Sequence, residues 1–318
     1  MTGEYSVFEA AIFAAVVAAA LLADLFAHKR DQAVSLKNAA LWSAVWVALG
    51  LGFAVFVGFS HGPDDSFLYL TGYLLEKSLS VDNLFVFMAI FASFSVRDEY
   101  QHRVLYYGII GALLLRLVFV AAGASLLAWF GPWALTAFGL FVLWSAFKMW
   151  QESRQPRAEA VDYANHWAVR ATRRFLPVSA ALDGHNFFTR SGGRLLVTPL
   201  FLCLVAVEMA DVMFAFDSVP AILAVTQKTF LVYTSNIFAI LGLRSLYFLL
   251  AAAARRLAHL EKAVIAILAF IGLKMLAQVT LDIHLSPQVS LLVVLGLLAA
   301  GGAASLLRPR RPAARAGG

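Results

Sequence analysis

Acidic side chains interrupt two long apolar stretches of this 318-residue chain. The first stretch, residues 76–87, reads EKSLSVDNLFVF, and the second, residues 207–222, reads VEMADVMFAFDSVPAI. A charged side chain inside a membrane costs roughly 3 kcal/mol, so such residues mark a function or an ion pair. We predict that the two stretches face each other in a membrane and bind a divalent cation. The predicted ligands are Glu76, Asp82, Asn83, Glu208, Asp211, Asp217 and Ser218.

The predicted ligand atoms are carboxylate, amide and hydroxyl oxygens. Such hard donors suit Mn²⁺, Ca²⁺ or Mg²⁺, whereas copper and zinc prefer softer ligands. Arg116, Arg244 and Lys274 lie in neighbouring apolar stretches, where they are better counter-ions than ligands. The alternative is a set of structural ion pairs, because six acids and five bases in apolar stretches do not by themselves require a metal. Asp24 either joins the site, caps the cytoplasmic end of the first helix or pairs with Lys29.

Composition indicates the elements that hold these residues. The chain is 61% hydrophobic and 14% charged, with a mean hydropathy of +0.79, which excludes an ordinary soluble domain. Several apolar runs reach the roughly 20 residues that a membrane-spanning helix needs. We predict an all-α, polytopic membrane helix bundle with about nine transmembrane helices. Their ranges are 9–27, 39–59, 66–94, 104–129, 133–151, 198–224, 233–253, 262–281 and 289–307.

An internal repeat relates residues 66–151 to residues 198–281. In each copy the first helix carries an acid-x5-Asp pattern, the second an arginine and the third a Lys-Met pair. Three helices is an odd number, so the copies enter the membrane from opposite sides, as in transporters with inverted repeats. The aligned pairs are Glu76 with Asp211, Asp82 with Asp217, Asn83 with Ser218, Arg116 with Arg244 and Lys148 with Lys274. The remaining segments are 1–65 (two N-terminal helices), 152–197 (a basic cytoplasmic loop) and 282–318 (the last helix and a basic tail).

Helical geometry adds a further prediction for the two acidic stretches. Six residues turn through about 600°, so the two acids of each acid-x5-Asp pattern point roughly 120° apart on a straight helix. Broken helices would let them converge and would free backbone carbonyls as ligands. Because Pro220 removes a helical hydrogen bond, we predict a break or kink near it and a second near Ser80.

The distribution of basic residues predicts the orientation. Nineteen of the 25 Lys and Arg residues fall in alternate connections and in the tail, which places that side in the cytoplasm. We therefore predict a protein of the bacterial cytoplasmic membrane whose N-terminus faces the outside and whose C-terminus lies in the cytoplasm. The basic pI of about 9.5 reflects this topology, so nucleic acid is not an expected partner and anionic lipid is. Within loop 152–197, residues 161–176 are either an amphipathic interfacial segment or a solvated linker.

At these residues the chain resembles the TerC/Alx family of integral membrane proteins. The matching pieces are LTGYLLEKSLSVDNLFVF, FFTRSGGRLLVTPLF, VEMADVMFAFDSVPAILA and YTSNIFAILGLRSLYFLLA, in family order. The resemblance implies a multi-helix bundle that exports manganese, with proton exchange as the candidate coupling, and it assigns the acidic motifs to the ligands named above. Family members often have threonines where this chain has Met209 and Ala210. An acid-lined path would repel tellurium oxyanions, which are therefore not the expected substrate.

The sequence therefore predicts an exporter of divalent cations, with Mn²⁺ as the transported substrate, Ca²⁺ as the alternative and no permanently bound cofactor. Protonation of Asp82 or Asp217 would couple metal release to proton entry. The alternative is a non-transporting membrane scaffold or assembly factor in a stress-response complex, for which loop 152–197 would matter most. An enzyme is not expected, because no nucleophile-base pair stands in a recognisable context. The oligomeric state is left open.

Overall fold

The structure is a computed structural model in which residues 5–27, 36–154, 167–179, 182–191, 193–253, 260–283 and 285–307 are described. The basic tail and residues 155–166 of the predicted cytoplasmic loop lie outside the described residues. Asp24, Asp82 and Asp217 belong to helices, but their side chains lie outside what is described.

The described chain is almost entirely helical. The long helices are α1 (Val7–Ala27), α2 (Leu36–His61), α3 (Pro63–Ser93), α4 (Asp98–Phe130), α5 (Pro132–Arg154), α7 (Pro199–Val225), α10 (Leu260–Thr280) and α11 (Pro287–Leu307). Shorter helices are α6 (Trp167–Phe175), α8 (Thr229–Ile240) and α9 (Leu243–Ala253). Several helices begin at proline, which suits a first turn because it lacks the N–H that would have no partner there. This confirms the predicted all-α, polytopic bundle.

The number of membrane spans follows from helix length and polarity. Six of the described helices are long and apolar enough to cross a membrane, and α8 with α9 makes a seventh if the bent pair is one span. The apolar part of α1, Val7–Ala23, is shorter. Helix α3 has 31 residues, but Glu76, Lys77 and Asp82 make it more polar than an ordinary span. The count of nine therefore stays a prediction.

The seventh predicted helix is broken, and the break lies between α8 and α9 rather than in an acidic helix. The two segments are bent by 43° at Leu241 and Gly242. Gly242 has φ +81°, a conformation that glycine adopts without steric cost. The Trp46 ring of α2 lies against this glycine, where a Cβ atom would be 2.5 Å from it.

Helices α7 and α3 run through Pro220 and Ser80 without interruption, so the breaks that we predicted there are absent, while a kink at either residue stays a prediction. Pro220 lies close to the end of α7, and one missing backbone hydrogen bond does not end the helix. A glycine with positive φ is the stronger helix breaker in this chain.

The two acidic helices lie at the centre of the bundle and pack against each other. Helix α3 contacts α2, α7, α8 and α11, and α7 contacts α3, α4, α5 and α10. The packing is reciprocal: α3 packs on α8 as α7 packs on α4, and α5 packs on α10. An inverted repeat requires such reciprocity, although the repeat itself stays a prediction. Large apolar side chains such as Phe59, Trp129 and Trp133 are exposed on the outside, as a lipid-facing surface requires.

The second part of the predicted cytoplasmic loop is folded. Helix α6 falls within the segment that we proposed as amphipathic, and it is followed by a hairpin of β1 (Phe188–Ser191) and β2 (Arg194–Val197). The strands pair antiparallel, with Phe188 opposite Val197. Backbone bonds from Ser179 N–H to Val197 O and from Val197 N–H to Pro177 O join the chain after α6 to the hairpin. This segment is therefore attached directly to the start of α7.

Candidate cation site

The acidic stretches place two carboxylates in the interior of the bundle. Glu76 lies midway along α3 and Asp211 midway along α7, with 0% and 3% of their surface exposed. Arg116, from the middle of α4, is also buried. The bundle folds this way because α3, α4 and α7 bury the apolar faces that flank these residues, including Leu75, Val120 and Ala215. Three ionisable side chains are thereby held in one place without access to bulk water.

Arg116 joins the two acids. Its Nη1 donates a hydrogen bond to Glu76 Oε1, and its Nε lies 3.9 Å from Asp211 Oδ2. Glu76 and Asp211 are the residues that the repeat alignment pairs with each other, so the structure brings them together as the sequence suggested. The guanidinium is a cation between the acidic side chains of α3 and α7, in the counter-ion position that we predicted for it.

Several oxygen atoms of this cluster have no hydrogen-bond partner among the described residues. They are Glu76 Oε2, Asp211 Oδ2, Glu208 Oε2 and Ser218 Oγ. The Ser218 hydroxyl approaches the Glu76 carboxylate from α7. Buried polar atoms are nearly always paired, and each exception calls for a cause such as an ion or a water molecule. Carboxylate and hydroxyl oxygens are the donors that a hard divalent cation prefers.

Glu208 occupies a niche made by a glycine. It lies one turn before Asp211 on α7, within electrostatic reach of that carboxylate. Its side chain rests on Gly111 of α4, where a Cβ atom would be only 2.0 Å from Glu208 Oε1. The sequence analysis missed this glycine, because nothing in the sequence marks which of the many glycines of apolar helices faces the carboxylate.

The other predicted ligands are less closely grouped. Asn83 is buried, but it follows Glu76 by seven residues, which places it on the same face of α3 about 10 Å further along the axis. The carboxylates of Asp82 and Asp217, which we also predicted as ligands, lie outside the described residues. Within the described part of the chain, no group of three or more His, Cys, Asp or Glu residues is arranged to hold a metal. The arrangement is an acidic pair joined by arginine, with a third acid beside it.

The other two predicted counter-ions make different contacts in the described part of the chain. Arg244 is buried in the first turn of α9, with its guanidinium 5.9 Å from the Tyr106 ring centroid. Lys274, the third predicted counter-ion, donates to Ser290 Oγ at 3.0 Å. The structure therefore places Arg116, rather than Lys274, at the acidic pair.

Lys77 occupies a position that the sequence analysis did not foresee. Its ammonium donates to Ala239 O at 3.0 Å and to Leu241 O at 3.4 Å. These carbonyls lie at the C-terminal end of α8, where the break ends the helical hydrogen-bond pattern. The C-terminal end of a helix carries a partial negative charge, which stabilises the ammonium. Gly242 was the sequence signal that could have predicted this contact.

Comparison with known proteins agrees with this architecture. The sequence pattern of the family "Integral membrane protein TerC family" matches residues 61–313, which is most of the chain. The chain belongs to the TerC family. A TerC relative from Serratia marcescens, named tellurium resistance protein TerC, is 46% identical over 95% of this chain and 94% of its own length. A second, from an Alcaligenes species and with the same name, is also 46% identical, over 95% and 94% of the two chains.

The TerC family also includes proteins with a different name. A relative from Escherichia coli (strain K12) is 43% identical over 90% of both chains, and its name, Alx, is accompanied by a suggested role as a membrane-bound redox modulator. No solved structure matches this chain. The names of these relatives indicate resistance and stress-related roles and identify no transported ion.

Proposed function

We propose that this TerC-family protein exports divalent metal cations from the cytoplasm, with Mn²⁺ as the main substrate and protons as the counter-substrate. The observation that carries the proposal is a charge imbalance deep in the bundle. Among the described residues, three carboxylates and one base form this cluster: Asp211 lies within electrostatic reach of Glu76 and of Glu208, and Arg116 lies within ion-pair distance of Glu76 and Asp211. Fully ionised, this cluster carries a formal charge of −2, which one divalent cation would neutralise.

The oxygen atoms without partners support the same proposal. In a low-dielectric interior an uncompensated carboxylate is costly, so the cluster attracts either a cation or protons. The atoms of the cluster that could coordinate a metal are all oxygens, which favours Mn²⁺, Ca²⁺ or Mg²⁺ over softer metals. Met209 and Met213 lie on α7 with Glu208 and Asp211; we assign the half-buried Met209 to packing, and Met213 is exposed on the outside of the bundle.

Arg116 would then act as an internal competitor of the transported cation. When the metal binds Glu76 and Asp211, the guanidinium gives up its contacts with them. When the metal leaves, the guanidinium restores them, so that the carboxylates are not left unpaired in either state. Protonation of Asp82 or Asp217, our proposed proton carriers, would favour release on the outer side. The proposed orientation has the N-terminus outside and the C-terminus in the cytoplasm, in accordance with the distribution of basic residues.

Metal flux in proteoliposomes tests this proposal. We expect the wild-type protein to move Mn²⁺ down its gradient, while an internal pH dye reports proton movement in the opposite direction. Asp82→Asn and Asp217→Asn should each abolish both signals. Asp183→Asn, in the exposed segment before the hairpin, is the matched control and should behave as the wild type.

Three outcomes of this experiment change the proposal. If the wild-type protein moves no divalent cation, the exporter proposal is wrong. If Ca²⁺ is transported in preference to Mn²⁺, the substrate is reassigned to Ca²⁺. If metal moves while the internal pH stays constant, proton exchange is removed from the mechanism.

The second candidate function is a membrane scaffold in a stress-response complex. The observation that favours it is the folded segment of α6 and the β1–β2 hairpin, which presents an ordered surface at one end of the bundle. In that case the carboxylates are structural, so their neutralisation would leave the biological activity unchanged. Replacement of residues 167–191 by a flexible linker would then abolish the activity, whereas an exporter would retain metal transport.

A further inference from the structure

Helix α6 has the composition of a segment that lies at a membrane surface. Its nine residues read WAVRATRRF, and no acidic residue occurs from position 167 to position 182. The three arginines are exposed, and so are Trp167 and Phe175, with 59% and 81% of their surface accessible. Arginines beside exposed aromatic rings are typical of helices at the boundary between headgroups and acyl chains. Val169 is fully buried and anchors the helix to the bundle.

A groove beside α6 adds a second, independent feature. It has a volume of about 360 Å³, which lies within the usual range for small-molecule sites. Arg173 supplies a cationic group at the groove, and the other residues that line it, apart from Ser179, have apolar side chains. These residues are Leu176, Pro177, Val178, Pro199 and Leu202. A molecule that fills the groove therefore needs both an anionic group and a hydrocarbon part.

The start of α7 forms the other side of the groove. Pro199 and Leu202 belong to the first turn of this helix, whose N-cap residue, Thr198, is fully buried. Pro199 has no N–H, and the N–H groups of Phe201 and Leu202 both bond to Thr198 O. The helix end is therefore closed to an anion, and Arg173 supplies the positive charge at the groove.

We propose that the groove between α6 and the first turn of α7 binds an anionic phospholipid. The phosphate lies at Arg173, one acyl chain follows the exposed side chain of Leu176, and Arg170 and Arg174 contact neighbouring headgroups. An acidic soluble partner would leave the exposed rings of Trp167 and Phe175 uncovered, whereas a lipid leaflet covers them. The site is attached to α7, the helix that carries Glu208 and Asp211.

Lipid titration of the purified full-length protein in neutral detergent tests the proposal. Dioctanoyl phosphatidylglycerol should raise the melting temperature in a saturable way, while dioctanoyl phosphatidylcholine and glycerol 3-phosphate should not. Arg173→Gln should raise the half-saturating phosphatidylglycerol concentration about fivefold, the effect expected of one basic residue at an anionic surface. Leu176→Ser tests the contact with the acyl chain and should weaken binding in the same assay.

Arg97→Gln is the matched control, because Arg97 is exposed at the start of α4 and does not line the groove. It should leave the titration unchanged. The proposal is overturned if Arg173→Gln and Arg97→Gln titrate alike, or if phosphatidylcholine stabilises as well as phosphatidylglycerol. Equal stabilisation by glycerol 3-phosphate would assign the groove to a soluble phosphate compound and would also overturn it. Because the assay measures lipid binding, its outcome is independent of metal transport.

Discussion

Two acidic clusters of this protein use the same residue types and differ in how completely their oxygens are bonded. The deep cluster, defined as Glu76, Glu208 and Asp211, contains three oxygens without a hydrogen-bond partner among the described residues. The rim cluster, defined as Glu9, Asp64 and Asp65, lies near the ends of α1 and α3, and each of its acids has a neutral or cationic partner. Acidity alone therefore does not identify the cation site.

The partners of the rim cluster come from several elements. Lys228 Nζ lies 2.9 and 3.0 Å from the two Asp65 oxygens, and Tyr5 donates to the same carboxylate at 2.6 Å. Glu9 lies 2.7 Å from His61 Nε2, and Gln288 donates to Asp64 at 2.6 Å. These bonds tie α1, α2, α3, α11 and the α7–α8 connection together at one end of the bundle. We interpret the rim cluster as structural and the deep cluster as functional.

Removal of the basic partner should destabilise the protein much more at the deep cluster than at the rim cluster. Arg116→Gln leaves Glu76 and Asp211 buried without a counter-charge, and a broken buried ion pair costs about 3–5 kcal/mol of unfolding free energy. Lys228→Gln removes a partner that is 35% exposed, and the buried Asp65 carboxylate keeps the hydrogen bond from Tyr5, so this loss should be only about 1 kcal/mol. Melting temperatures in detergent should therefore fall much further for Arg116→Gln. Equal losses would contradict the distinction between the clusters.

The addition of a methyl group beside Glu208 should affect the protein less than the loss of Arg116. In Gly111→Ala the new methyl group would overlap the Glu208 carboxylate, which must move and can do so because it is the far end of a flexible side chain. Gly52→Ala in α2 is the matched control, because no atom lies within 4 Å of a Cβ atom there. We expect Gly111→Ala to lower the rate of Mn²⁺ flux while the melting temperature changes little, and Gly52→Ala to change neither. A normal flux in Gly111→Ala would show that the position of Glu208 is unimportant for transport.

Much of the fold could be predicted from the sequence because hydrocarbon runs and basic connections obey simple physical limits in a membrane. The helices fall where the apolar runs lie, with ends shifted by a few residues. The break was misplaced, since a proline near a helix end is tolerated while Gly242 adopts a conformation that interrupts the helix. The β1–β2 hairpin was not predicted either, because its four-residue strands are too short for a periodic signal.

The candidate site was predictable in part. Glu76, Asp211 and Arg116 were singled out because charged residues are expensive in apolar runs, and the repeat alignment suggested that Glu76 and Asp211 meet. The contacts of Lys77 with Ala239 and Leu241 join helices far apart in sequence, so spacing along one helix could not reveal them. The same is true of the Gly111 niche, which exists only because α4 packs against α7.

Equilibrium binding of Mn²⁺ to the purified protein tests the central claim most directly. Electron paramagnetic resonance measures free aqueous Mn²⁺, so binding appears as a loss of its signal. We predict that the wild type and Asp65→Asn deplete free Mn²⁺ equally, because the rim cluster is structural, while Glu76→Gln leaves the signal close to that of buffer. If Glu76→Gln binds Mn²⁺ like the wild type, or if only Asp65→Asn loses binding, the assignment of the cation site to the deep cluster is wrong.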